Sequence, residues 1–192
     1  MIDHFSETEN VREFFRDVWV YSQSKEPFED FLKDFMENIM KRGFHLVPGV
    51  ERLIKHLKDN NIPMAVATNG SETLLKSMIP RTKDLDEKWF HHYVCGADDP
   101  DVKANKPSPD IYLVCAERFT PSPKSVENCV IFEDSVTGIT GAVASGMKTV
   151  LIKKAVNKKS TEFISIVDKI SINVNSFDDF KPESVGLPPY QQ

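Results

Sequence analysis

The stretch VIFEDSVTG at residues 130–138 decides how this chain folds. An apolar run at 129–132 predicts a strand that is buried on both faces. A helix is predicted at 136–145, ending before Gly146. Glu133 and Asp134 therefore fall where a buried strand ends, and in α/β sheets ligands bind at the carboxyl ends of strands.

Two other segments place polar residues at comparable positions. In MAVATNG, residues 64–70, Thr68 ends a predicted strand and Asn69 begins a turn into a helix. In KPSPDIY, residues 106–112, Lys106 precedes a helix opened by prolines. Backbone N–H groups at a helix N-terminus attract anions, and a fixed lysine can hold a phosphate as a point charge. Both segments are candidate phosphate contacts.

Each of these residues also has an ordinary structural interpretation. Thr68 can be a β-branched strand residue, and Lys106 can be a solvated loop lysine. Asp134 or Ser135 can simply cap the next helix. Two adjacent carboxylates at a strand end are costly to desolvate unless a cation binds them. Mg²⁺ prefers oxygen ligands and usually binds carboxylates together with a substrate phosphate. Glu133 and Asp134 are therefore predicted to bind it.

The chain divides into a helical segment and an alternating segment. Residues 1–46 have apolar side chains at helical spacing, best seen at 27–41, and are predicted to be helical. The stretch at 11–20 is ambiguous, because 18–21 also suits a short strand. From residue 47 onward strands and helices alternate, which predicts parallel βαβ units. Strands are predicted at 64–67, 93–95, 129–132, 149–152 and 170–174, and helices at 48–59, 72–78, 108–119, 136–145 and 161–167. The proline-rich tail at 181–192 is predicted to be an extended surface segment.

Composition excludes several classes of function. The 192 residues carry a net charge of −5, which argues against a nucleic-acid partner because such a surface needs a basic face. No apolar run approaches the ~18 residues of a membrane helix. The cysteines, Cys95, Cys115 and Cys129, are odd in number and have no metal-like spacing. With no secretory signal at the N-terminus, we expect a reducing, cytoplasmic setting.

Together, the order and spacing of these motifs resemble a known family. Thr68 after a strand, Lys106-Pro107 before a helix, and Glu133-Asp134 after another strand are similar to motifs II, III and IV of the haloacid dehalogenase superfamily. Within it the chain is most similar to the pseudouridine-5′-phosphatase group, in the segments at 47–57, 96–119, 130–147 and 176–190. The resemblance implies a Rossmann-like parallel sheet core at 47–192, of class α/β, and a partial helical cap at 1–46.

The resemblance also implies roles for the site residues. Family members hydrolyse phosphomonoesters through an aspartyl-phosphate intermediate with Mg²⁺. Thr68 and Asn69 would bind phosphoryl oxygens, and Lys106 would hold the phosphoryl group and the nucleophile. Asp134, with Glu133 beside it, would bind Mg²⁺ together with motif I.

Motif I itself, an apolar strand ending in Asp-x-Asp-Gly, has no match in the chain. The sequence Asp-Leu-Asp at 84–86 lies between charged residues, and Asp-Pro-Asp at 99–101 lies in a predicted turn. Both follow motif II, so their order is wrong. We therefore expect a truncated, catalytically inactive form that lacks the central strand of its sheet and can self-associate through the incomplete sheet.

Three functions remain open at this stage. One is a phosphatase-family chain whose ligand is a small phosphorylated metabolite similar to pseudouridine 5′-phosphate. Another is a non-catalytic protein that binds a phosphate ligand or a partner. A third is a sugar-phosphate mutase of the same superfamily, which the resemblance at 176–190 disfavours.

Overall fold

The computed structural model describes residues 2–3, 45–78, 87–152 and 161–191. Most of the predicted helical cap at 1–46 lies outside these ranges. At its two ends β1 (Ile2–Asp3) pairs antiparallel with β2 (His45–Leu46). The prediction that residues 1–46 are helical is therefore wrong at 2–3 and 45–46, because these residues form an antiparallel strand ladder. The ambiguous stretch at 11–20 lies outside the described residues.

From residue 47 the described chain alternates between helices and strands, as predicted. In chain order the elements are α1 (Val50–Asp59), β3 (Ala65–Thr68), α2 (Glu72–Met78), β4 (His92–Cys95), α3 (Asp110–Glu117), β5 (Val130–Glu133), α4 (Val136–Ala144), β6 (Lys148–Ile152), α5 (Thr161–Ile166) and β7 (Ile172–Val174). Short 3-10 turns lie at Glu87–Trp89, Val126–Asn128, Val167–Lys169, Phe177–Asp179 and Pro182–Val185. Most boundaries differ from the predicted ones by only one or two residues, which is the usual uncertainty at element ends.

The strands form two parallel sheets with helices on both faces. β3 pairs with β4, and β5 pairs with β6, which pairs with β7. One core cluster joins Val94 of β4 to Leu151 of β6, and the other joins Met64, just before β3, to Val150 of β6. The first cluster contains residues of both sheets, so the two sheets share one core.

One edge of β3 faces away from its partner strand. The Thr68 carbonyl accepts a hydrogen bond from the Gly96 amide of the β4 side at 2.8 Å. Alternate residues of a parallel strand direct their backbone groups to opposite neighbours. The backbone groups of Ala65 and Ala67 therefore point to the edge opposite β4.

The same reasoning applies to β5. The Cys129 carbonyl accepts from the Lys148 amide of β6 at 3.0 Å, so Val130 and Phe132 direct their backbone groups away from β6. Within the described ranges no strand pairs with β3 or β5 on these edges. The absence of a central strand between them stays a prediction, because residues 4–44 lie outside the described ranges.

The C-terminal tail differs from the predicted surface segment. Val185 is buried, and Tyr190 packs on α1, with its ring centroid 4.3 Å from the Arg52 guanidinium carbon and 4.7 Å from the His56 ring centroid. The His56 Nε2 atom lies 2.8 Å from the Pro188 carbonyl oxygen. The prediction is wrong because apolar residues in the tail cover one face of α1, and burying them is favourable.

Hydrogen exchange can test whether the facing edges of β3 and β5 are open. We expect the Ala65 and Phe132 amides to exchange at least about tenfold faster than those of Val66 and Ile131, whose partners lie in β4 and β6. Residue-resolved NMR exchange measures this directly. Equal protection of all four amides would mean that another segment covers these edges.

Candidate functional site

Lys106 occupies the point where the two sheets approach each other. Its ammonium donates to the Ala67 carbonyl of β3 at 3.0 Å and to Glu133 Oε1 of β5 at 2.6 Å. Its side chain is only 11% exposed. An ammonium has three protons; two are used here, and no acceptor among the described residues takes the third.

Glu133, the last residue of β5, is the centre of a polar network. Its side chain is 9% exposed, and Ser135 donates to its second oxygen at 3.4 Å. A Cβ atom on Gly138 would overlap the carboxylate, so glycine is needed there to admit it. The carboxylate is therefore enclosed, and its charge is balanced mainly by Lys106.

Tyr112 of α3 completes this network and was not predicted from the sequence. Its hydroxyl lies 2.6 Å from Glu133 Oε1 and 2.9 Å from the Gly138 carbonyl oxygen. The Lys106 ammonium lies 5.0 Å from its ring centroid. Burial and the Glu133 carboxylate raise the pKa of Tyr112 well above its usual range, so the hydroxyl stays protonated. A tyrosine on the buried side of a helix, where phenylalanine would suffice for packing, was the available signal.

Asp134 follows β5 directly and is half-buried. Burial, together with the neighbouring Glu133 charge, raises the pKa of the Asp134 carboxyl. Ser135, not Asp134, caps α4, accepting a hydrogen bond from the Gly138 amide at 2.9 Å. Asp134 is therefore not used as the cap, and a cation would relieve the cost of its charge.

The predicted Mg²⁺ ligands can be compared with this geometry. Within the described ranges no group of three or more His, Cys, Asp or Glu side chains is placed to hold a metal ion. Glu133 Oε1 already carries hydrogen bonds from Lys106 and Tyr112. Asp134 alone supplies too few oxygens for Mg²⁺ without further ligands such as phosphate. Metal binding by Asp134 and Glu133 therefore stays a prediction.

Asn69 contacts Lys106, and Thr68 precedes Asn69 at the end of β3. The Thr68 hydroxyl oxygen accepts from the Gly70 amide at 3.1 Å. The Asn69 side-chain oxygen Oδ1 accepts from the Lys106 backbone amide at 3.1 Å. These bonds leave the hydroxyl proton of Thr68 and the side-chain amide protons of Asn69 as donors, and their role as phosphate contacts stays a prediction.

The backbone amides that open α2 are less available than expected. Asp98 accepts from the Glu72 amide at 2.5 Å, and the Ser71 hydroxyl oxygen accepts from the Leu74 amide at 3.2 Å. Side chains of the protein already occupy these donors. These two amides are therefore not available to an anion, and Lys106 is the main cationic group at the site.

The acidic turn at 98–101, after β4, lies outside the network of Lys106, Glu133 and Tyr112. Arg118 donates to both Asp99 oxygens, at 2.6 and 2.7 Å, and to Asp101 at 2.8 Å. Hydrogen bonding to Arg118 lowers the pKa of Asp99. An Asp-x-Asp sequence that is neutralised in this way cannot provide a free nucleophile.

The fold and the site define an α/β protein whose strand ends hold an enclosed lysine–carboxylate pair beside threonine and asparagine. The family model for haloacid dehalogenase-like hydrolases matches residues 7–146. The chain belongs to the haloacid dehalogenase-like hydrolase family, and the predicted family membership is confirmed.

Individual relatives agree with this assignment. A probable pseudouridine-5′-phosphatase from Drosophila melanogaster is 38% identical over 152 residues, covering 79% of this chain and 63% of the relative. The (DL)-glycerol-3-phosphatase 2 of Arabidopsis thaliana is 36% identical over 166 residues, covering 85% and 66%. This chain therefore spans somewhat less than two thirds of the length of each.

A solved structure supports the fold. The crystal structure of CbbY from Rhodobacter sphaeroides in complex with phosphate has a TM-score of 0.64 and 22% identity, and the match covers 93% of this chain and 82% of that one. At this identity the match shows the fold alone, and it confirms the predicted Rossmann-like class. None of the helices in the described ranges has the length and apolar character needed to span a membrane.

The enclosed ion pair can be tested by removing its acid. We expect Glu133→Ala to lower the free energy of unfolding by roughly 3–5 kcal/mol, because it leaves the Lys106 charge buried without its partner. Urea unfolding followed by circular dichroism measures this. Glu127→Ala, at an exposed position, is the control and should change stability by less than about 0.5 kcal/mol. Similar values for the two variants would contradict the assignment.

The Asp99–Arg118 contact predicts a pH dependence of stability. The pKa of Asp99 in the folded state lies below its ordinary value of 3.8. The contact therefore stabilises the fold above about pH 4, and the effect is lost as the pH falls through the folded pKa. In Arg118→Ala the unfolding free energy should fall less steeply below about pH 4 than in the unsubstituted protein. Lys124→Ala should keep the original slope, and an unchanged slope in Arg118→Ala would refute the prediction.

Proposed function

We propose that the strand-end site binds the phosphoryl group of a small phosphomonoester, as in a haloacid dehalogenase-type phosphatase. The observation that carries this proposal is the geometry of Lys106. Its ammonium is held by the Ala67 carbonyl and by Glu133, and within the described part of the chain its third proton has no acceptor. A cation fixed in this way needs little reorganisation to meet a phosphate.

The neighbouring groups favour an anionic ligand with a bound cation. The Asn69 side chain contacts the Lys106 backbone, and Thr68 directly follows Ala67, whose carbonyl binds the Lys106 ammonium. Both side chains carry protons that can be donated to phosphoryl oxygens. The raised pKa of Asp134 makes its charge costly unless a cation is present. We infer that Asp134 takes part in binding Mg²⁺ together with the phosphate, since Mg²⁺ commonly combines one or two carboxylates with phosphate oxygens.

The ligand we propose is similar to pseudouridine 5′-phosphate. The D. melanogaster relative is named as a probable pseudouridine-5′-phosphatase and the A. thaliana relative as a glycerol-3-phosphatase. Both names describe small phosphomonoesters. The resemblance at 96–119 and 176–190 favours the pseudouridine compound.

We infer that this 192-residue polypeptide binds such a ligand without hydrolysing it. Hydrolysis in the family needs a carboxylate nucleophile. In the described part of the chain, Glu133 is held by Lys106 and Tyr112, and Asp99 is held by Arg118. Asp134 is assigned to the cation, so none of these three carboxylates is free to attack phosphorus.

A second candidate is a non-catalytic partner-binding protein. The observation that favours it is the pair of facing edges on β3 and β5, where the backbone groups of Ala65 and Phe132 are directed away from β4 and β6. Unpaired strand edges can accept a strand from another chain. On this reading a second copy of the chain could associate through these edges, and the oligomeric state would depend on protein concentration.

Lys106 provides the decisive test of phosphate binding. We expect Lys106→Ala to weaken the binding of inorganic phosphate by at least about tenfold, because it removes the fixed cation. Isothermal titration calorimetry with and without Mg²⁺ measures this. Lys124→Ala removes an exposed lysine and serves as the matched control. Equal affinity in Lys106→Ala and the unsubstituted protein would sink the proposed site.

A turnover assay separates binding from hydrolysis in the same samples. With pseudouridine 5′-phosphate or an aryl phosphate and Mg²⁺, we expect no release of phosphate above background. Turnover that disappears in Asp134→Ala would overturn the binding-only proposal and identify an active hydrolase.

A further inference from the structure

Tyr112 makes more contacts than packing requires. It is 4% exposed and belongs to the core cluster under α3 and α4. A phenylalanine would fill the same space, but the hydroxyl reaches Glu133 Oε1 at 2.6 Å. A buried hydroxyl is costly unless it is hydrogen-bonded, and here it donates to a charged group.

Tyr112 and Lys106 converge on the same oxygen atom. Both lie 2.6 Å from Glu133 Oε1, one through a hydroxyl and the other through an ammonium. The Tyr112 ring also lies on one side of the ammonium, 5.0 Å from it. One tyrosine therefore contacts both members of the ion pair.

This convergence affects how much of the lysine charge a ligand can use. With two donors on Oε1, the carboxylate charge is shared between Tyr112 and Lys106. Without the hydroxyl, Oε1 would keep only the Lys106 bond of these two, and the carboxylate charge would draw the ammonium toward β5. The proton of Lys106 that remains for a ligand would then be less well placed.

We propose that Tyr112 is a positioning residue: its hydroxyl fixes the Glu133 carboxylate and thereby holds the Lys106 ammonium in place for a phosphoryl group. This inference rests on the proposed function of the site. It adds a residue of α3 that the motif pattern does not contain, and it assigns Glu133 a role in orienting Lys106.

A double-mutant cycle with inorganic phosphate tests the inference. We expect Tyr112→Phe to weaken phosphate binding three- to tenfold in calorimetry at a temperature where circular dichroism shows the protein folded. In the Lys106→Ala background the same change should have no further effect, because Tyr112 acts through Lys106. Equal, additive effects of Tyr112→Phe in both backgrounds would overturn the proposal.

Tyr190→Phe is the matched control. Tyr190 is partly buried against the other core cluster, on the side of α1, and packs on Arg52 and His56. Its substitution also removes one phenolic hydroxyl but should leave phosphate affinity unchanged. If Tyr112→Phe lowers the melting temperature and leaves phosphate affinity as it was, the role of Tyr112 is structural only and the inference is wrong.

A spectroscopic measurement keeps the inference separate from the proposed function. In ¹H–¹⁵N spectra of the lysine ammonium groups, the enclosed Lys106 group should exchange slowly with water and give a distinct signal. Tyr112→Phe should shift or broaden that signal, and Tyr190→Phe should not. If the unsubstituted protein fails to bind phosphate, the proposed function fails. An unchanged Lys106 signal in Tyr112→Phe overturns the positioning role in either case.

Discussion

The structure depends on the ion pair between Lys106 and Glu133. In the described residues β3 and β5 share no ladder hydrogen bonds, yet one ammonium binds the Ala67 carbonyl of β3 and the carboxylate at the end of β5. Two enclosed charges are favourable only when further hydrogen bonds compensate for lost hydration. The Ala67 carbonyl and the Tyr112 hydroxyl provide this compensation, so the pair can connect the two sheets and remain at the site.

Close helix packing makes this pair possible. A Cβ atom on Gly141 of α4 would lie 2.8 Å from the Ser108 carbonyl oxygen, so glycine lets α4 lie directly against the segment that begins α3. Gly138, one turn earlier, leaves space for the Glu133 carboxylate. The close contacts at Gly138 and Gly141 bring α3 near enough to β5 for the Tyr112 hydroxyl to reach Glu133. Small residues on one helix therefore place charged groups that belong to other elements.

Local sequence patterns predicted most of the fold correctly. The strands ending near Thr68 and Glu133 were found because short apolar runs followed by polar residues are typical of buried parallel strands. The tail was misassigned because its prolines suggested exposure, while Val185 and Tyr190 in fact pack on the core. Tyr112 was not predicted as a site residue because its hydrogen bond is made with Glu133, a residue 21 positions away in the sequence.

The sequence by itself determined the alternation of strands and helices, the family, and the grouping of Thr68, Asn69 and Lys106 at one end of the sheet. These follow from local periodicity and from the rule that the ends of parallel strands meet at one edge. Only the tertiary structure decided which donors reach which oxygen of Glu133, and that side chains of the protein occupy the α2 amides. These hydrogen-bond partners depend on differences of about a few tenths of an ångström in the packing of elements far apart in the sequence. No local sequence pattern encodes such differences.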